Sequence, residues 1–166
     1  AGHVNTLADS EATPLERARS VRGIMGLALL ALLPGVLVSA AFFGIGVLLQ
    51  ILLAVVFAMA LEAAMLALRG RPLQPSLSDL SAPLAAVLFA LCLPPLAPWW
   101  LAAIGMVAAI VVGKHLYGGI GNNLFNPAMV GVAVVMVCFP SEFNHGLPSV
   151  GMAQGFDTHG LLESMK

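Results

Sequence analysis

The chain has 166 residues, of which 60% are apolar and 9% charged, and its mean hydropathy is +0.98. This excludes an ordinary soluble domain, where roughly a quarter of the residues carry charge, and leaves a membrane protein. Seven Lys and Arg against eight Asp and Glu give a net charge of −1, so no basic field exists to draw in nucleic acid.

The first element follows from "ADSEATPLERARS", where Thr13 can cap a helix, Pro14 takes the first helical position and Glu16 completes a capping box. A short amphipathic segment over residues 1–20 is expected to lead, on the cytoplasmic side, into a transmembrane helical domain over residues 21–140. Within residues 23–68 the only charge is Glu62, and the run far exceeds the ~20 residues of one span, so two helices are expected near 21–41 and 45–68. The turn falls in "FFGIG", where Gly44 and Gly46 relax the backbone. Arginines before a short apolar core, with Val38-Ser39-Ala40 after it, also match a cleavable signal peptide. Cleavage there would start the mature chain inside the next apolar segment, whereas a secretory signal leads into a soluble region.

After the polar link "RGRPLQPSLSD" come two short apolar runs, residues 80–93 and 99–112, separated by "PPLAP", and a shorter one at 129–139. All are brief for a full span, and Pro- and Gly-broken pieces of this kind are tolerated in a membrane only where protein or a cavity covers the irregular backbone. The fold expected is all-α and polytopic, with about five transmembrane or broken helices. Cys92 and Cys138 lie in apolar runs without CxxC spacing and read as small buried hydrophobes.

Basic residues set the topology. With Arg17, Arg19 and Arg22 in the cytoplasm, two crossings return the chain there at Arg69 and Arg71, and two more at Lys114. Trp99 and Trp100 then fall at the opposite interface, and residues 141–166 form an extracytoplasmic tail.

One stretch departs from the apolar pattern: "GGIGNNLFNPAM", residues 118–129. Asn126-Pro127-Ala128 is a helix start, with an Asn cap followed by Pro at the first position. Gly118, Gly119 and Gly121 let backbone amides approach a ligand closely, and Asn122 and Asn123 add side-chain donors and acceptors. A polar loop at membrane depth needs partners, and a flavin ring, a file of waters or ions would all supply them.

The run "PPLAPWWLAAIGMVAAIVVGKHLYGGIGNNLFNPAMVGVAVVMVCFP", with the earlier "LLPGVL", "FFGIGVLLQILLA" and "LRGRP", resembles the D subunits of the bacterial Rnf complex, the ion-pumping ferredoxin:NAD oxidoreductase. The B subunit of the sodium-pumping NADH:quinone reductase is a close relative, but its motif has alanine-leucine in place of Ala128-Met129, so the Rnf subunit is the better match. The resemblance implies a non-covalent riboflavin held near the cytoplasmic side by the positions matching Asn123 and Asn126, with Pro127 beside them and Gly118, Gly119 and Gly121 folding the loop round it. It also implies that Glu62 matches an acidic position associated with cation uptake. An intramembrane carboxylate is a functional candidate on physical grounds as well. Its alternatives are snorkelling to the interface or pairing with Arg69, two helical turns later.

Family chains are built of two similar halves giving about ten spans, so this sequence matches one half of a pseudo-symmetric fold, with its tail leading toward the second. Members carry covalent FMN on a downstream threonine in an S/T-G/Q-A-T-like motif. Thr6, Thr13 and Thr158 do not match it, so the covalent FMN threonine is expected outside this chain. Lys114-His115 reads as a basic helix end complementing the dipole, and His3, His145 and His159 show no metal-ligand spacing. The implied setting is a multi-pass subunit of the bacterial inner membrane, with its N-terminus in the cytoplasm. Its partners would be the lipid bilayer and membrane and peripheral subunits carrying iron-sulfur clusters and flavins, with no nucleic acid. A different reading is an NPA-containing channel or small-solute transporter without a redox role, although the aquaporin pattern carries two such triplets and this chain has one.

Overall fold

The computed structural model describes residues 14–72, 77–95, 97–116 and 125–145, and every regular element among them is helical. In chain order these are α1 (Pro14–Phe43), α2 (Gly46–Leu68), α3 (Ser81–Cys92) and α4 (Trp99–Val107). The last continues as a π-helical segment (Ala108–Leu116) and is followed by α5 (Pro127–Cys138) and α6 (Pro140–His145). Val21–Phe43, Gly46–Leu68 and Trp99–Leu116 are each long and apolar enough to cross a membrane, and α3 and α5 are shorter apolar helices. The protein is an all-α polytopic membrane protein.

Two expectations change in detail. Among the described residues α1 runs unbroken from Pro14 into the first span, because no glycine or second proline interrupts it before Gly23. The run expected to stop at residue 112 continues to Leu116, because Lys114, although charged, is neutralised inside the bundle and does not end the helix. Glycine sets the helix ends. Gly44 has φ 81° and its N–H donates to the Ala40 carbonyl, closing α1. Gly70, φ 60°, closes α2 with the paired bonds of a Schellman motif, Arg71 N–H to Leu66 O and Gly70 N–H to Ala67 O.

The core is built from small side chains. Ala54 and Ala58 of α2, Ala82, Ala85, Ala86 and Ala90 of α3, and Ala102 and Ala109 of the α4–π helix are buried. Such residues let helix backbones approach closely in a medium that offers no hydrophobic drive for association. Larger side chains fill the remaining space, among them Leu101, Met106 and Ile110; the largest, Phe89, is fully buried and lies over Gly105 of α4 and Gly131 of α5. α2 packs on α3 and α4, and α5 packs on α3, α4 and the π segment. By contrast α1 touches only α2 and α3 to any extent, and its Ile24, Leu27, Leu30, Leu37 and Phe42 are exposed. Cys92 and Cys138 are also exposed, which corrects the expectation that they are buried. The outward faces of a membrane bundle are as apolar as its core, so hydropathy alone does not separate the two.

The arginines and Lys114 gather at one end, and a tryptophan–phenylalanine pair marks the other. Arg22 and Leu80 line one groove, and Arg69 Nη2 donates to the His115 carbonyl at 2.6 Å. The start of α1, the end of α2, the start of α3 and the end of the π segment therefore share one end. At the other end Trp100 meets Phe139 edge to face, ring centroids 5.2 Å apart.

Candidate functional site

The basic end of the bundle holds a buried polar cluster. Glu62 lies on the buried stripe of α2 that includes Gln50, Ala54, Ala58 and Leu66, and its side chain is 1% exposed. Lys114 Nζ donates to Glu62 Oε1 at 2.7 Å, and His115 Nε2 lies 3.1 Å from Glu62 Oε2. Lys114 Nζ also donates to Ser81 Oγ at 2.7 Å, and the Ser81 hydroxyl donates to Asp79 Oδ1 at 2.7 Å. A continuous chain of polar contacts thus runs from half-buried Asp79 through Ser81 and Lys114 to Glu62 and His115.

Each member is held by local structure. Asp79 Oδ1 accepts from the Ser81 N–H at 2.9 Å as well as from its hydroxyl, which fixes the first turn of α3. Leu80 between them is in the left-handed region at φ 63°, a strain of order 1–2 kcal/mol for a residue with a Cβ. The π segment explains how two consecutive residues reach one carboxylate. Successive side chains in an α-helix diverge by about 100°, and i→i+5 bonding puts more residues in each turn and narrows that angle. Lys114 and His115 thereby each take one oxygen of Glu62. With Glu62 ionised, the His115 contact requires a proton on Nε2.

The pairing replaces the readings in which Glu62 snorkels or pairs with Arg69, whose guanidinium is engaged by the His115 backbone; Lys114-His115 does stand in the last turn of a helix as expected, and both side chains also contact Glu62. A signal for this exists in the sequence: Glu62 is the only charge in residues 23–68 and Lys114 the only one in 80–141, and lone charges in an apolar bundle must find each other. Gln50 gives no such signal. It is buried on the same α2 stripe, with Nε2 unpartnered among the described residues.

The described flank of the candidate loop, Asn126-Pro127, sits at the same end. Asn126 caps α5, its side-chain oxygen accepting from Ala128 N–H at 3.0 Å, and Pro127 occupies the first helical position. A Cβ at Gly113 would lie 3.0 Å from Pro127 Cα, so the π segment and the α5 N-terminus are in direct backbone contact one residue from Lys114. Gly118, Gly119, Gly121, Asn122 and Asn123 lie outside the described residues. Among the described residues Asn126 Nδ2 has no partner, and both Asn126 and Phe125 are exposed. The Asn126 oxygen is spent on the cap, and its amide stands beside the exposed Phe125 ring at the described edge of the loop.

The NQR2, RnfD, RnfE family matches residues 10–166. Among curated proteins, the D subunit of the ion-translocating oxidoreductase complex of Aeromonas hydrophila is 51% identical over 135 residues, covering 81% of this chain and 39% of the relative. The protein of the same name from Yersinia pseudotuberculosis is 47% identical over 141 residues, covering 83% and 40%. That from Aliivibrio salmonicida is 50% identical over 131 residues, covering 79% and 37%. The chain spans about two fifths of the length of these relatives.

Proposed function

Because this chain belongs to the NQR2, RnfD, RnfE family, we propose that it serves as a membrane subunit of an Rnf-type complex, in which electron transfer between ferredoxin and NAD drives sodium or protons across the bilayer. Its neighbours would be membrane and peripheral subunits carrying flavins and iron-sulfur clusters in a bacterial inner membrane. The basic end, with Arg22, Arg69 and Lys114, would face the cytoplasm, in keeping with the positive-inside rule. The observation that carries this reading is the buried Glu62–Lys114–His115 cluster beside the anchors of the glycine-asparagine loop. A cation-binding carboxylate and a cofactor loop joined through one π-helical segment are the two parts an ion-coupled redox subunit needs.

Asn123 and Asn126, with Gly118, Gly119, Gly121 and Pro127, would hold riboflavin non-covalently, and FMN would sit on the downstream part of the family subunit. Bound there, riboflavin would supply one- and two-electron chemistry. The chain's own contribution is to orient the ring from the rigid start of α5 and to exclude water with the packed Gly113–Pro127 contact.

Flavin released by acid from the complete complex tests the loop. Asn126→Asp keeps an acceptor for the Ala128 amide but removes the NH2 donor, whereas Asn126→Ala also loses the cap, at about 1 kcal/mol. The expected result is normal assembly and little riboflavin in the supernatant from Asn126→Asp and from Asn123→Ala. Unchanged flavin in both variants rejects the riboflavin assignment and favours a pore element, which needs no chromophore.

A further inference from the structure

Lys114 holds the position that a transported cation would need. Its ammonium is a compact unit charge set 2.7 Å from a carboxylate oxygen and 2.7 Å from a hydroxyl oxygen, with a side chain only 5% exposed. Hard oxygen donors of this kind also suit an alkali cation. We propose that Lys114 is a tethered, displaceable counter-ion. In each cycle a sodium ion replaces its ammonium between Glu62 Oε1 and Ser81 Oγ, and later the ammonium returns and expels the sodium. This rests on the ion-translocating function proposed above.

The exchange balances in charge: one positive charge leaves Glu62 as another arrives, so the buried carboxylate is never left bare in the apolar bundle. The displaced ammonium has somewhere to go. Asp79, reached through Ser81 and only half-buried, offers it a second carboxylate, and the four-carbon stem of lysine is flexible enough for a swing between the two. Lys114 is also well placed to sense the loop, since its neighbour Gly113 bears on Pro127 at the start of α5. A shift of that contact moves the backbone that carries the ammonium. His115, on the other oxygen of Glu62, keeps the carboxylate oriented during the exchange.

A tethered ion competes at an effective concentration on the order of millimolar, so its removal should lower the sodium needed for half-saturation by about tenfold or more. The test uses the complete complex in proteoliposomes, with radioactive sodium uptake and sodium-stimulated electron transfer measured for wild type, Lys114→Gln and Ser81→Ala. Lys114→Gln should bind sodium more tightly and release it more slowly. Ser81→Ala, which removes one oxygen ligand but leaves the Lys114–Glu62 pair, should require more sodium than wild type. A second readout is independent of turnover: sodium but not choline should raise the melting midpoint of purified Lys114→Gln complex, and do so far less for wild type. Sodium profiles and melting responses like wild type in both variants would mean that Lys114 is a structural partner only, and would overturn the exchange. Wild-type complex that moves protons and no sodium also overturns it. Wild-type complex that moves no ion at all rejects the function on which it rests.

Discussion

Glu62→Ala should lower the stability of the folded subunit by about 3–5 kcal/mol, and the paired replacement Glu62→Leu/Lys114→Met should bring it back to within about 1 kcal/mol of wild type. The sign of each step follows from burial. Glu62 and Lys114 side chains are 1% and 5% exposed, so removing the carboxylate takes the counter-charge from a buried ammonium and forces it out of its packed position toward Asp79, whereas removing both charges leaves two hydrophobic side chains of suitable size. Lys114→Met alone should cost less than Glu62→Ala, because a lone Glu62 keeps its contact with His115 Nε2. Melting midpoints of the complex in sodium-free buffer give the order. A double variant no better than the worse single would mean that the two groups do not act on each other.

A comparable loss is expected at the centre of the bundle, for a different reason. A Cβ at Gly131 would lie 2.6 Å from the Gly105 carbonyl oxygen, and that obstacle is backbone, so no rotamer relieves it. Gly131→Ala should therefore force α4 and α5 apart and cost about 1–3 kcal/mol, or more if the shift reaches the Gly113–Pro127 contact. At Gly105 the added methyl would collide with the Phe89 ring instead. Gly105→Ala should consequently be rescued in part by Phe89→Leu, and Gly131→Ala much less. Gly26→Ala is the control. Its Cβ would meet only Leu80 Cδ1 at 3.7 Å, and it should be neutral or stabilising by up to about 1 kcal/mol through helix propensity. If all three glycines behave alike in melting experiments, close helix approach is not what holds this core together.

The parts of the fold that can be read from sequence are those in which one segment decides its own structure. The long apolar run splits at Gly44 as its turn residues indicate, and the Asn126-Pro127 start of α5 follows directly from capping chemistry. What escapes depends on partners far away in the chain. Nothing in the local pattern around Lys114 reveals i→i+5 bonding, because apolar residues on both sides blur any period, so the helix reads as ending where its charge stands. Ser81 and Asp79 lie in and beside a polar link with no visible reason to matter. Their role comes from a lysine more than thirty positions later. Glu62 stands out by being alone, but its partner is 52 residues away and only packing of the π segment on α2 brings them together. Local chemistry writes helix ends plainly; tertiary neutralisation of a buried charge it does not.

The buried ion pair and the described start of α5, Asn126-Pro127, meet at one end of the bundle, which gives the proposed coupling a physical route. The π segment touches α2 through Lys114 and His115, and α5 through Gly113, so one rigid element bears on both contacts. Ion transport by inverted membrane vesicles carrying the complete complex with Glu62→Gln tests this most directly. The account expects electron transfer to continue at a measurable rate while ion accumulation is lost, since the amide keeps the side-chain shape but removes the charge that draws the cation in. Accumulation at the wild-type ratio of ions to electrons would show that the path lies elsewhere and that the cluster only holds the helices together.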